Sequence, residues 1–181
     1  MELNKSEKIK TEPDIDILGP EQWQEYRAIR LKAFRTDPTA FGESYEREEK
    51  KSEAEMRKQL SDPNYRAYVA KIDNKTASLA VYMLFVPQHV EHCAMISSVF
   101  TDPEFRRSGL GEKLLRKVLD DLHQNPKITR VRLSVRVDNE AAKKMYEKLG
   151  FVQCGIGRKE VKVDGKYYDQ AQMDLIFEDK L

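Results

Sequence analysis

Val99-Phe100-Thr101-Asp102-Pro103-Glu104-Phe105-Arg106-Arg107-Ser108-Gly109-Leu110-Gly111 joins an apolar strand to a helix through a proline turn, two arginines and two glycines. Behind it Leu110, Leu114, Leu115, Val118, Leu119 and Leu122 recur at a helical period, which predicts a helix over 109–124. Such a loop presents bare main-chain N–H groups at a helix start, where unpaired donors and the positive end of the helix dipole coincide. Glycine lets a ligand come close to that backbone. Phosphate binds in such places, and Arg106 and Arg107 add full charges beside it. Two familiar phosphate loops do not fit. A Walker loop needs Lys followed by Ser or Thr after its second glycine, where this chain has Glu112-Lys113. A dinucleotide fingerprint needs a third glycine, where Leu114 stands. What remains is Arg106-x-x-Gly109-x-Gly111, which by itself also describes a surface arginine pair before a glycine-rich helix start.

Outward from this loop the pattern continues. Over 128–137, Val131, Leu133, Val135 and Val137 alternate with Arg130, Arg132, Ser134 and Arg136, a strand signature. A short helix follows over 139–149. Ala141, Ala142, Met145, Tyr146 and Leu149 form its apolar stripe, Asn139 is placed to cap it, and Gly150 ends it. Upstream, a strand at 14–18 precedes a helix from Pro20 to Phe34, a loop from Arg35 to Glu43 and a helix from Ser52 to Leu60. Strands at 65–72, 77–86 and 92–101 are close enough in sequence to pair as an antiparallel meander. The strand–helix–strand unit across 92–137 is expected to be a right-handed parallel crossover. Two last strands, 151–163 and 167–177, meet at Asp164-Gly165, a strong hairpin signal. The sum is an α/β (α+β) fold, a mixed sheet with helices on both faces.

The Arg106-x-x-Gly109-x-Gly111 loop followed by Asn139-x-x-Ala142-x-x-x-Tyr146-x-x-x-Gly150-Phe151 resembles the two cofactor motifs of the GNAT superfamily of acyl-CoA-dependent N-acyltransferases. The match is strong from about Ala94 to Phe151 and weaker from Ile15 onward. The resemblance implies a mostly antiparallel central sheet of about seven strands, splayed between the fourth and fifth. It implies transfer of an acetyl group from acetyl-CoA to a primary amine, by direct attack in a ternary complex. It places the pyrophosphate on Arg106, Arg107, Ser108, Gly109, Leu110 and Gly111. The pantetheine arm would lie along Val99, Phe100 and Thr101, and Asn139 and Ala142 would contact the cofactor side. A main-chain N–H on this strand would polarise the thioester carbonyl.

Tyr146 is the expected general acid. The departing alkyl thiolate belongs to a thiol of pKa about 8.5, and a phenol of pKa about 10 can supply a proton as charge builds. On helical spacing alone, a core tyrosine with its hydroxyl bound to backbone is the competing reading. The general base stays open. Where some members carry a strand-four glutamate, this chain reads His92-Cys93-Ala94-Met95-Ile96-Ser97-Ser98. Glu91 or His92, acting through water, and Glu43 or Glu46 are the alternatives. Phe41, Glu43 and Glu46, in a loop of mixed apolar and acidic character, are the candidate acceptor contacts; a plain surface loop is the other reading. A non-catalytic acyl-CoA-binding sensor on the same fold is the alternative function.

Composition narrows the partners. The chain has 181 residues and charged residues make up 35% of it, yet its formal net charge is only +1. That balance creates no long-range field toward nucleic acid or anionic membranes. No apolar run is long enough to span a bilayer, and residues 1–13 have no apolar h-region; they are expected to be a mobile tail before a single domain over 14–181. Cys93 and Cys154 lie in apolar-rich strand patterns and are expected to be ordinary buried thiols. His89 and His92 have no companions at metal spacing, so no metal site is expected. A cytoplasmic enzyme is the expectation, and the resemblance makes a homodimer through its C-terminal strands a further one.

Overall fold

The computed structural model describes residues 12–180; residues 1–11, the bulk of the expected tail, and residue 181 lie outside the described residues. Seven strands form one sheet: β1 (Asp14–Leu18), β2 (Tyr65–Ile72), β3 (Lys75–Leu84), β4 (Cys93–Thr101), β5 (Arg130–Arg136), β6 (Val152–Val163) and β7 (Lys166–Ile176), in the order β1-β2-β3-β4-β5-β7-β6. The helices are α1 (Trp23–Thr36), α2 (Tyr45–Glu49), α3 (Glu53–Ser61), α4 (Leu110–Gln124) and α5 (Glu140–Lys148). All neighbours pair antiparallel except β4 and β5, which are parallel across the α4 crossover. The sheet and its helices are those expected from the sequence, with three differences.

The helix expected from Pro20 begins as a 3-10 turn over Pro20–Gln22 before α1 proper. The loop after α1 holds a 3-10 turn, Pro38–Ala40, and is followed by the unexpected short helix α2, capped by Ser44. The cysteines are not the buried thiols expected: Cys154 is exposed on β6, an outer strand of the sheet, and Cys93 is half-buried. Apolar neighbours in sequence do not bury a side chain whose strand lacks a cover.

Two apolar layers sandwich the sheet. On one face the stripe of α4 (Leu114, Leu115, Val118, Leu122) and Tyr146 of α5 pack on Ala80, Ile96, Val131, Leu133 and Met173. On the other, Tyr26, Ile29, Ala33 and Phe34 of α1 pack on Ala67, Val69, Leu79, Val81 and Phe100. Alternation along β2 serves both: Ala67 and Val69 face α1, whereas Tyr68 and Ala70 face α4. The β6–β7 hairpin turns at Asp164 and Gly165, whose φ values of 49° and 77° are those of a primed two-residue turn.

The sheet opens in one place. β4 and β5 pair only at Cys93–Arg130, Ala94–Val131 and Met95–Arg132, so the rest of β4 diverges from β5. On its other side β4 carries a bulge. Leu79 faces Phe100 and Val81 faces Ser97, leaving Ala80 opposite both Ser98 and Val99. Ser98 sits there at φ 52°, in the left-handed region. A bulge bends and twists its strand locally, and this one lies where β4 parts from β5.

Candidate functional site

The wedge between β4 and β5 is a cleft of about 690 Å³. Val99, Phe100 and Thr101 form its β4 wall. Arg106, Arg107, Gly109, Leu110 and Gly111 close one end. Asn139, Ala142 and Tyr146 stand on the α5 side. Phe100 and Leu110 are buried at 3% and 2% exposure, their side chains in opposite cores, so both offer the cleft only main-chain groups.

The loop that ends β4 is built by local bonds and one long-range ion pair. Asp102, buried at the strand end, accepts from the Glu104 N–H and pairs with Lys32. Burial alone would raise its pKa, but the Lys32 bond and the Glu104 N–H outweigh this and hold the carboxyl below its usual range. Arg107 (φ 65°) and Gly109 (φ 80°) then turn the chain through the left-handed region. Ser108 is not part of the cleft lining. Its hydroxyl donates to the Phe105 carbonyl at 2.6 Å and accepts from Leu110 N–H at 3.4 Å, tightening the turn. The first helical bond of α4 runs from Lys113 N–H to Gly109 O, so the amides of its first turn have no intrahelical acceptor. A Cβ on Gly111 would lie 2.9 Å from Thr101 Oγ1, which is why α4 can start so close to β4 only with glycine there. In front of Gly109 nothing lies within 4 Å of where a Cβ would stand. Open space, bare amides, a helix N-terminus and two arginines are the donor set of a diphosphate cradle. The residues present therefore fit a coenzyme A diphosphate.

Tyr146 stands on the α5 side of the same cleft. Its ring is 5% exposed and meets Phe151 edge-on, with centroids 6.0 Å apart. Its hydroxyl has no hydrogen-bond partner among the described residues. Burial pushes the phenol pKa above its ordinary value, so it keeps its proton across the neutral range. Asn139 caps α5, its Oδ1 accepting from Ala142 N–H at 3.2 Å.

Several lining residues were not anticipated from the sequence. Asp37 and Thr39, in and beside the turn after α1, reach both sides of the wedge. Asp37 binds Arg106, whose Nε also donates to Thr101 O at 2.9 Å, while Thr39 accepts from Arg136 at the end of β5. These contacts span 69 and 97 residues, so no local pattern could have revealed them. Arg136 also holds Asp138 and lies 4.8 Å over the Tyr168 ring.

The acidic loop expected at the acceptor side lies outside the cleft lining. Phe41 is in the core against Phe34, with ring centroids 4.9 Å apart. Glu43 bonds its neighbour Ser44 N–H and pairs with Arg47, and Glu46 is exposed. Glu91, paired with Lys127, and His92 lie at the closed end of the β4–β5 wedge. The carboxylates that do line the cleft, Asp37, Glu112 and Asp138, each bind a cation. No group of three or more His, Cys, Asp or Glu among the described residues is arranged to hold a metal. No helix among them is long and apolar enough to cross a membrane.

Comparison with known proteins agrees with this geometry. A family model described as acetyltransferase (GNAT) family matches residues 23–151. A [ribosomal protein bS18]-alanine N-acetyltransferase of Salmonella typhimurium is 33% identical over 100 residues, covering 55% of this chain and 59% of that one. An N-alpha-acetyltransferase RimI of Mycobacterium tuberculosis is 34% identical over 70 residues, covering 39% of this chain and 42% of that one. The chain thus spans about half the length of the curated relatives it matches. Among solved structures, an acetyltransferase of the GNAT family from Streptococcus pneumoniae superposes with a TM-score of 0.81 at 23% identity, over 92% of this chain and 100% of that one.

Proposed function

The chain belongs to the acetyltransferase (GNAT) family, and from that premise we propose that it is an acetyl-CoA-dependent N-acetyltransferase acting on a primary amine. One observation carries the proposal: a single 690 Å³ wedge has the Arg106–Gly111 cradle at one end and the unpartnered hydroxyl of Tyr146 on its wall. Acetyl-CoA, when bound, supplies an activated acetyl thioester. Arg106, Arg107 and the main-chain amides of Gly109 and Gly111 hold the diphosphate end. The diverging edge of β4 at Val99–Thr101 offers main-chain groups to an amide-bearing arm, as in the addition of a strand. An N–H on that edge would polarise the thioester carbonyl as it gains charge. Asn139 and Ala142 flank the cofactor side. Tyr146 Oη gives its proton to the departing sulfur; a phenol held protonated by burial is suited to donate rather than accept.

The acceptor amine enters from the side of the α1–α2 turn, where Asp37, Thr39 and Ala40 line the opening. Glu43 and Glu46 continue this segment and are proposed as outer contacts for the acceptor, while Phe41, packed on Phe34, supports the turn from within. An alkylammonium of pKa about 10.4 must first lose a proton. Every carboxylate in the cleft lining is engaged by a cation, so we assign this proton to water. The names of the relatives favour the amine of an amino acid or a peptide N-terminus as acceptor. We place the enzyme in the cytoplasm, in keeping with its two free cysteines.

The test is release of free thiol from acetyl-CoA in the presence of an amine panel: amino acids, peptides with free N-termini, polyamines and aminoglycosides. Acetylation of one class above the amine-free rate is expected. Saturable acetyl-CoA binding with no thiol release for any acceptor would replace the enzyme by an acyl-CoA sensor.

A further inference from the structure

Beneath the cleft lies a buried charged cluster that the proposed chemistry does not use. Arg30, on α1, and Glu48, on α2, form a forked ion pair, Nε to Oε1 at 2.5 Å and Nη2 to Oε2 at 3.1 Å. Arg30 is 6% exposed and Glu48 is 0% exposed. Lys51 reaches the same carboxylate at 2.7 Å. The guanidinium is stacked between Tyr26 and Phe34, 5.3 and 4.8 Å from their ring centres. Its remaining arm leaves the pair: Arg30 Nη1 donates to Ser98 Oγ at 3.0 Å. Ser98 is the bulge residue of β4, a non-glycine at φ 52°, and it lines the cleft.

A serine pays about 1–2 kcal/mol to stay left-handed, so something must hold it there. A guanidinium locked on three other sides is a fixed point for that purpose. A well-packed apolar group could fill the same space, and buried ion pairs are often no more stabilising than apolar replacements. What an apolar group could not do is bind the Ser98 hydroxyl.

We propose that Arg30, fixed by Glu48, is a positioning residue that pins the Ser98 bulge and so sets where the β4 edge at Val99–Thr101 stands in the cleft. The claim that this placement serves acetyl transfer rests on the proposed acetyltransferase function; the claim that the bulge is pinned does not. Arg30 and Glu48 touch neither cofactor nor acceptor. They act through Ser98 on the main-chain groups that follow it.

Three variants test this: the apolar pair Arg30→Met with Glu48→Leu, Ser98→Ala, and the triple combination. The first readout needs no ligand. Crystal structures of the variants give φ at residue 98, and amide exchange gives the protection of residues 96–101. Residue 98 is expected to leave the left-handed region, and the segment to exchange faster, in the apolar-pair variant and in Ser98→Ala. An unchanged bulge in a folded variant overturns the proposal whatever the enzyme does. If the apolar pair fails to fold, Ser98→Ala alone decides, since it removes one hydroxyl and no packing.

The second readout is kinetic, with the best acceptor from the amine panel. A misplaced reacting group costs up to about 100-fold. Accordingly, kcat is expected to fall by about 10- to 100-fold in both variants, and KM for acetyl-CoA to rise, because the displaced edge also meets the amide-bearing arm. The triple variant should lose no more than the worse of the two, because all break one link. Losses that multiply would overturn the coupling. A wild-type chain that binds no acetyl-CoA would overturn the enzyme assignment, leaving the bulge geometry to be decided by the first readout.

Discussion

Tyr146 is the residue on which sequence and structure meet most directly. Its place on a helical stripe reads as core, and the ring is in fact in the core, against Phe151. What separates it from an ordinary core tyrosine is the hydroxyl, which has no partner among the described residues and lines the cleft. A hydroxyl with no protein partner that faces a cleft is free to bond a ligand or water there. Tyr146→Phe removes that oxygen and little else. Turnover should fall by about 10²- to 10⁴-fold, the usual worth of a positioned acid, with the Kd for coenzyme A within about twofold. Steady-state kinetics beside calorimetric titration checks both; unchanged turnover would return Tyr146 to a packing role. Asp37 makes a second prediction with the opposite sign. It binds Arg106, a residue assigned to the diphosphate, and both side chains are more than a third exposed. A competing carboxylate at such a site is worth up to about 1 kcal/mol. Asp37→Asn should therefore tighten coenzyme A binding by up to about fivefold at low salt, an advantage that shrinks as salt screens the pair. Weaker binding in the variant would show instead that Asp37 helps to orient Arg106.

At the scale of elements, what was legible followed from local pattern. The α4 stripe, the alternation in β5, the Asn139 cap and the Asp164-Gly165 turn each carry their signal within a few residues, and each element stands within a few residues of its expected bounds. The two motifs at 106–111 and 139–151 are also continuous in sequence, which is why the cleft walls at 99–111 and 139–146 could be anticipated. Three features were not legible. β7 inserts between β5 and β6, a choice made by the pairing of Val131, Leu133 and Val135 with Leu175, Met173 and Ala171. The α1–α2 turn bridges the wedge through contacts many residues apart. The short helix α2 is polar nearly throughout, and its inward Glu48 looks in sequence like any member of a charged run; only Arg30, 18 residues away, makes it an interior residue. The Arg30–Glu48 pair also gives this element a pH dependence. Burial would raise the Glu48 pKa, but the Arg30 bond and charge, aided by Lys51, outweigh it and hold the carboxyl below the usual carboxylate range. A depressed folded-state pKa means stability that is complete above the unfolded value and lost as pH falls through the folded one. Glu48→Gln leaves Arg30 buried beside a neutral amide, costing about 3–5 kcal/mol near pH 7. Urea unfolding from pH 7 downward should show that deficit constant to about pH 5 and narrowing below the ordinary glutamate value of about 4.3, where the unfolded chain takes up the proton first and folded Glu48 only at lower pH. A deficit independent of pH would mean that packing, not charge, is what the substitution removes.

At the scale of the whole molecule, the cleft belongs to no single element. β4, β5, α4 and α5 form its walls, and the turn after α1 ties Arg106 on one side to Arg136 on the other. A ligand seated there binds a surface that exists only when the sheet, both α4-side helices and the α1 turn are assembled together. Unfolded chain presents none of it, so the full binding free energy appears as stability. At a concentration 100 times its Kd, a ligand adds about 2.7 kcal/mol. For a chain of this size each kcal/mol moves Tm by about 2–4 °C, so coenzyme A should raise the melting temperature by about 5–10 °C. ATP and NAD share the diphosphate but lack the long amide-bearing arm that would run beside Val99–Thr101, and the cradle has neither the Walker lysine position nor the third glycine that their own loops use. They should give a small fraction of that shift at equal concentration. The ordering discriminates between parts of the molecule as well as between ligands. Comparable shifts from all three would mean that the Arg106–Gly111 cradle binds diphosphate alone and the β4 edge contributes nothing. A large shift confined to coenzyme A requires both cradle and edge, and thus the wedge that the three-pair β4–β5 contact leaves open.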